Sequence, residues 1–71
     1  MTKFKGYELV KMLSDEEILE GTIIELLDKD NDLITELKVK YDDNYWLYDT
    51  NECCELPSSY LTANNNTFCF D

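Results

Sequence analysis

Along the chain, the spacing of apolar and polar positions changes period once. Phe4, Tyr7, Val10 and Leu13 recur every three residues with Leu9 beside them, the spacing of one face of a helix. Thr2 is a suitable cap for it, and Gly6 is a modest cost inside it. Ser14 and Glu17 stand at capping-box spacing, so a second short helical piece follows or the first continues with a break. Gly21 is placed to end it in a left-handed conformation. The pattern predicts helix over residues 3–20, in one or two pieces.

From Thr22 the period is two. Residues 22–28 are β-branched and aliphatic, bounded by Gly21 and a polar cluster, which predicts a strand. Leu33, Thr35, Leu37, Val39 and Tyr41 alternate with Ile34, Glu36, Lys38 and Lys40. Asp42-Asp43-Asn44 suits a turn, and residues 45–48 follow as an aromatic strand, which makes 33–48 a hairpin. Residues 52–56 read as a short strand stopped by Pro57, residues 58–61 as one helical turn, and residues 67–70 as a last strand after the Asn64–Asn66 loop. A helix followed by four or five antiparallel strands is an α+β domain over residues 1–71. Its sheet either curls toward a small barrel or packs under the helix.

Composition narrows the function classes. Sixteen acidic residues stand against six lysines, with no arginine and no histidine, for a formal charge of −10 in 71 residues. Without histidine the commonest general base and neutral metal ligand are missing. The charge opposes direct contact with nucleic acid and with anionic membrane. A hydrophobic fraction of 44% with 13% aromatics is too high for a disordered acidic tail. The first residues lack the apolar stretch of a signal peptide, and no run approaches the roughly 20 apolar residues of a membrane span. Three cysteines, two of them adjacent, do not form a secreted disulfide framework. A cytoplasmic location is therefore expected.

The chemical motifs are incomplete. Asp28, Asp30 and Asp32 have the spacing that opens a calcium-binding EF-hand loop, but Leu33 takes the glycine position and Val39 the final glutamate position. A polar hairpin turn explains the same residues. Cys53, Cys54 and Cys69 supply three thiolates where a structural zinc site takes four ligands in paired spacings, so packing as small apolar residues is expected. If 53 and 54 lie in a strand, they face opposite sides. Ser58, Ser59 and the cysteines have no histidine to activate them. The expectation is no enzyme, no metal and no cofactor.

Charge and aromatic content carry the functional reading. No lysine follows Lys40, while Asp42, Asp43, Asp49, Glu52, Glu55 and Asp71 do. A one-signed segment steers a protein toward a basic cleft. Tyr41, Tyr45, Trp46, Tyr48 and Tyr60 are interleaved with acids, which suits protein anchors rather than base stacking. A strand aromatic on both faces needs two covers, so its second face is either core or a partner surface.

Glu20-Gly21-Thr22 stepping into a strand, the hairpin, Ser59-Tyr60-Leu61 and the closing Asn66-Thr67-Phe68 resemble small uncharacterised proteins of bacteriophages and prophages of low-GC Gram-positive bacteria. The resemblance spans most of the chain and supplies no catalytic residues. It implies a phage origin and a place in the host cell cytoplasm. By analogy of class it also implies an inhibitor of host defence, of the anti-CRISPR or DNA-mimic kind. The expected function is a small acidic inhibitor that binds a basic surface of a defence nuclease and blocks nucleic-acid access. The expected contacts are Asp42, Asp43, Asp49, Glu52 and Glu55, with Trp46 and Tyr48 as anchors. The alternative is a non-inhibitory interaction module whose acidity serves solubility.

Overall fold

The two-residue period after Thr22 builds most of the sheet, and residues expected in a helix complete it. In a computed structural model that describes residues 2–63 and 65–70, the elements are β1 (Thr2–Lys5), α1 (Gly6–Ser14), β2 (Ile23–Leu27), β3 (Leu33–Asp42), β4 (Asn44–Asp49), β5 (Cys54–Leu56), α2 (Ser58–Ala63) and β6 (Thr67–Phe70). The fold is α+β. All neighbouring strands run antiparallel in the order β1-β6-β2-β3-β4-β5. The sheet is open, with β1 and β5 at its edges, so the barrel alternative is not the one adopted. It has six strands rather than four or five.

The extra strand comes from the start of the predicted helix. Phe4 lies opposite Phe68 in the register of β1 on β6, and its ring stacks on Phe70 with centroids 5.0 Å apart. This long-range aromatic pairing overrides the helical spacing of Phe4 and Tyr7, whose side chain is left 69% exposed. The helix begins only at Gly6, with the Lys5 backbone N–H donating to Glu8 Oε1 at 2.8 Å. It ends at Ser14. The Glu17 N–H reaches Met12 O (2.9 Å) and the Glu16 N–H reaches Leu13 O (3.2 Å), with Glu16 at φ 58°. These are the paired bonds of a Schellman ending, with glutamate in the left-handed position that glycine usually holds. The stop thus comes at Glu16, not Gly21, and residues 15–22 form a connection rather than a second helix. Gly21 does adopt positive φ (92°), as a bend leading into β2.

The register sorts side chains into two faces. Under the helices lie the rows Phe4–Phe68–Leu26–Thr35, Ile24–Leu37–Asp49–Cys54, Val39–Leu47–Leu56 and Tyr41–Tyr45. Leu9 of α1, Leu61 of α2 and Ile18 from the connection close over them, and Ile24, Leu37, Val39, Phe68 and Leu9 are fully buried. The inward face of α1 is therefore Gly6 and Leu9 rather than Tyr7. Gly6 marks the crossing of the two helices: a Cβ there would lie 1.5 Å from the carbonyl oxygen of Leu61. Only a residue without a side chain permits that approach.

Candidate functional site

The opposite face of the sheet has no helix over it. Its rows read Lys3–Cys69–Glu25–Glu36, then Ile23–Lys38–Tyr48–Glu55, then Lys40–Trp46, then Asp42–Asn44. Trp46 and Tyr48 are half-buried, meet edge to face at 6.3 Å, and the Lys40 ammonium lies 5.3 Å from the Tyr48 ring centroid. Cross-strand pairing therefore sets two lysines directly beside the aromatic anchors. The expected one-signed surface around Trp46 and Tyr48 is corrected by this register: β3 supplies the cations that the segment after Lys40 lacks.

The acids that sequence position had grouped are dispersed. Asp42 faces outward on the open side, Asp43 forms the β3–β4 turn at φ 66°, and Glu55 stands beside Tyr48 on β5. Glu52 lies in the turn at the other end of β4. Asp49 points under the helices, is 7% exposed, and accepts from Thr35 Oγ1 (3.0 Å), the Asn51 N–H (3.0 Å) and the Glu52 N–H (3.2 Å). Its carboxylate holds the β4–β5 turn and is not available to a partner. Asp71 and Asn64 lie outside the described residues.

Other acids take their place. The connection after α1 carries Asp15, Glu16, Glu17 and Glu20, all exposed, and leads to the same end of the sheet as the turn at Asp42 and Asp43, because Gly21 N–H donates to Val39 O at 2.8 Å. Lys11 is the nearby cation and is engaged by Asp15 at 2.6 Å. That hydrogen bond, and then the charge of Asp15, hold the Lys11 ammonium above its ordinary range. At this end a groove of about 300 Å³ opens between α1, α2 and the β3–β4 turn. Val10, Leu13, Tyr45 and Leu61 form its apolar lining, Glu16 and Asp43 are its charged residues, and no lysine lines it. A smaller hollow sharing Leu13, Tyr45 and Leu61 runs on to Trp46 and Glu55. Asp43 thus lines the groove with Asp42 beside it, while Trp46 and Glu55 line the adjoining smaller hollow. Tyr48 lies one row away, and Asp49 and Glu52 lie apart.

The spacing that predicts helix over residues 3–20 carries no signal for the place of Glu16. Nothing in the spacing of residues 14–20 shows that the chain turns back there to meet the hairpin tip.

In the acidic turn between β2 and β3 one carboxylate oxygen works internally. Asp28 Oδ1 accepts from the backbone of Asp30 (2.8 Å) and Asp32 (3.0 Å), and Asn31 takes φ 68°. The cysteines divide: Cys69 is buried in the open-face row, whereas Cys53 and Cys54 are exposed. The expectation of small apolar packing therefore holds for Cys69 alone. Cys53 lies outside β5 at φ 57°, so the strand alternation expected for the pair does not apply. No group of three or more metal-ligating side chains occurs among the described residues. No helix among them is long and apolar enough to cross a membrane.

Compared with models of known protein families, with curated proteins and with solved structures, the chain matches none.

Proposed function

We propose that this chain is a small protein-binding module that docks through its acidic end onto a basic protein surface, as an inhibitor does when it occupies the nucleic-acid cleft of a host defence nuclease. The observation that carries this reading is the segregation of charge. Lys3, Lys38 and Lys40 lie on the open sheet face among Glu25, Glu36 and Glu55, while Glu16, Glu17, Glu20, Asp42 and Asp43 share one end. A cluster of like charge attracts an approaching basic partner to that end and raises the association rate at low salt. The groove and the adjoining Trp46 give it an apolar centre with a charged rim, the anatomy of a protein interface. The role as a phage inhibitor rests on the resemblance of the sequence.

The test is capture from a lysate of a low-GC Gram-positive bacterium on the immobilised protein, eluted with rising salt, followed by binding kinetics on the recovered partner. A nuclease released by salt is expected. The variant carrying Asp42→Asn, Asp43→Asn and Glu17→Gln is expected to associate about tenfold more slowly while dissociating at a similar rate. A triple variant that associates as fast as the native protein at low salt overturns the reading and favours the accessory module.

A further inference from the structure

We infer that the groove between α1, α2 and the β3–β4 turn is a receptor for a single arginine side chain of the protein partner. This rests on the docking reading above and specifies the contact at its centre. An arginine has an apolar stem and a planar cation, and the groove presents the complement of each. Val10, Leu13 and Leu61 offer aliphatic surface along the stem. Glu16 from the end of α1 and Asp43 from the hairpin tip supply carboxylates from two separate elements. Tyr45 adds an aromatic ring to the lining, and Tyr41 meets that ring at a tilt of 58° with centroids 4.8 Å apart. Guanidinium stacks on aromatic faces and takes carboxylates in forked pairs, which the compact ammonium of lysine does not do. Both carboxylates belong to residues in left-handed backbone, at φ 58° and 66°. Among the described residues neither carboxylate is in an ion pair, and no lysine lines the groove.

The position of Glu16 makes the test clean. Glycine is the preferred residue in the left-handed place of a Schellman ending, so Glu16→Gly removes the carboxylate without straining the fold. Asp43→Asn likewise retains a side chain that tolerates positive φ. The probe is acetyl-Gly-Arg-Gly-amide, titrated into the labelled protein and followed by NMR. The expected result is saturable shifts at Leu13, Tyr45 and Asp43 with the Trp46 indole at most slightly moved. Each of Glu16→Gly and Asp43→Asn is expected to weaken binding about tenfold, the loss of one charge-assisted hydrogen bond. The citrulline peptide, of the same shape without the charge, is expected not to bind, and the lysine peptide to bind more weakly. No saturable shifts at the groove, equal binding of the citrulline peptide, or undiminished binding by both variants overturns the inference. An absent peptide response alongside salt-sensitive capture of a partner sinks the arginine receptor alone. A specific peptide response with salt-insensitive capture sinks the wider docking reading and leaves the receptor standing.

Discussion

The two faces of the sheet share six strands and one register, yet they solve different problems. On the covered face the central rows are mainly aliphatic or aromatic, with Thr35 and Asp49 the buried polar residues, and the helices, with Ile18, seal it. Burial of that area is what holds a chain of this length together. On the open face the two central rows set a cation beside a ring, Lys38 between Ile23 and Tyr48 and Lys40 beside Trp46, while Glu25 and Glu36 stand opposite each other further along. A face built this way is content in water and leaves no large apolar patch. The lesson is that uncovered sheet surface here is already internally balanced, and the unbalanced charge has been moved to the ends of the strands.

The widest gap between the faces should appear on truncation. Phe68→Ala, in the centre of the covered face, is expected to cost about 3–5 kcal/mol, and Trp46→Ala on the open face about 1 kcal/mol, measured by denaturant unfolding. Equal costs would mean that the open face is sealed by a second copy of the chain, which sedimentation would reveal. Gly6→Ala comes next. It forces the helices apart at Leu61 and should cost about 3 kcal/mol with a loss of near-ultraviolet circular dichroism. A neutral result would show that α2 moves freely on α1 and contributes little to the cover.

Asp49 is the buried charge on the covered face, and Asp49→Ala is expected to lose about 2 kcal/mol because Thr35, Asn51 and Glu52 lose their shared acceptor. Asp49→Asn, which keeps the accepting oxygen, should retain most of the stability. The smallest effect concerns Tyr48 on the open face. Hydrogen bonding to Cys53, and then the charge of that thiolate, hold the phenol above its usual pKa of 10.0. The folded chain therefore keeps this proton more tightly than the unfolded one. Any stability it contributes is present below about pH 10 and is lost as pH rises through the folded value. Cys53→Ala should bring the Tyr48 titration, followed by NMR, back toward its ordinary midpoint.

Where alternation was strict, sequence and structure agree: β3 and β4 form the hairpin read from Leu33 to Tyr48, and β2, β5 and β6 fall within a residue or two of their expected bounds. The departures share one cause. Phe4 and Gly6 take their roles from Phe68, Phe70 and Leu61, more than fifty residues away along the chain, and local spacing carries no trace of them. The candidate site was half legible. Asp43, Trp46 and Glu55 were visible as acids and aromatics near a turn, whereas Glu16 needed the knowledge that α1 stops early. Asp49 reads as a solvated acid in the turn after Tyr48, whereas it is the last residue of β4 and its partner Thr35 sits fourteen residues earlier on the facing strand.

The place of β6 has a kinetic consequence. It is the last element in chain order, yet it lies between β1 and β2 and brings Phe68 to the centre of the core. During synthesis every nascent chain that stops short of residue 67 therefore holds a first strand with no neighbour and a core with its largest side chain missing. Helix α1 and the β2–β3–β4 meander can form early, since their contacts are local, but they cannot be locked. Final closure waits on the joining of β1 to β6, the strand pairing of greatest sequence separation in the sheet, so folding is expected to be all-or-none with this step late.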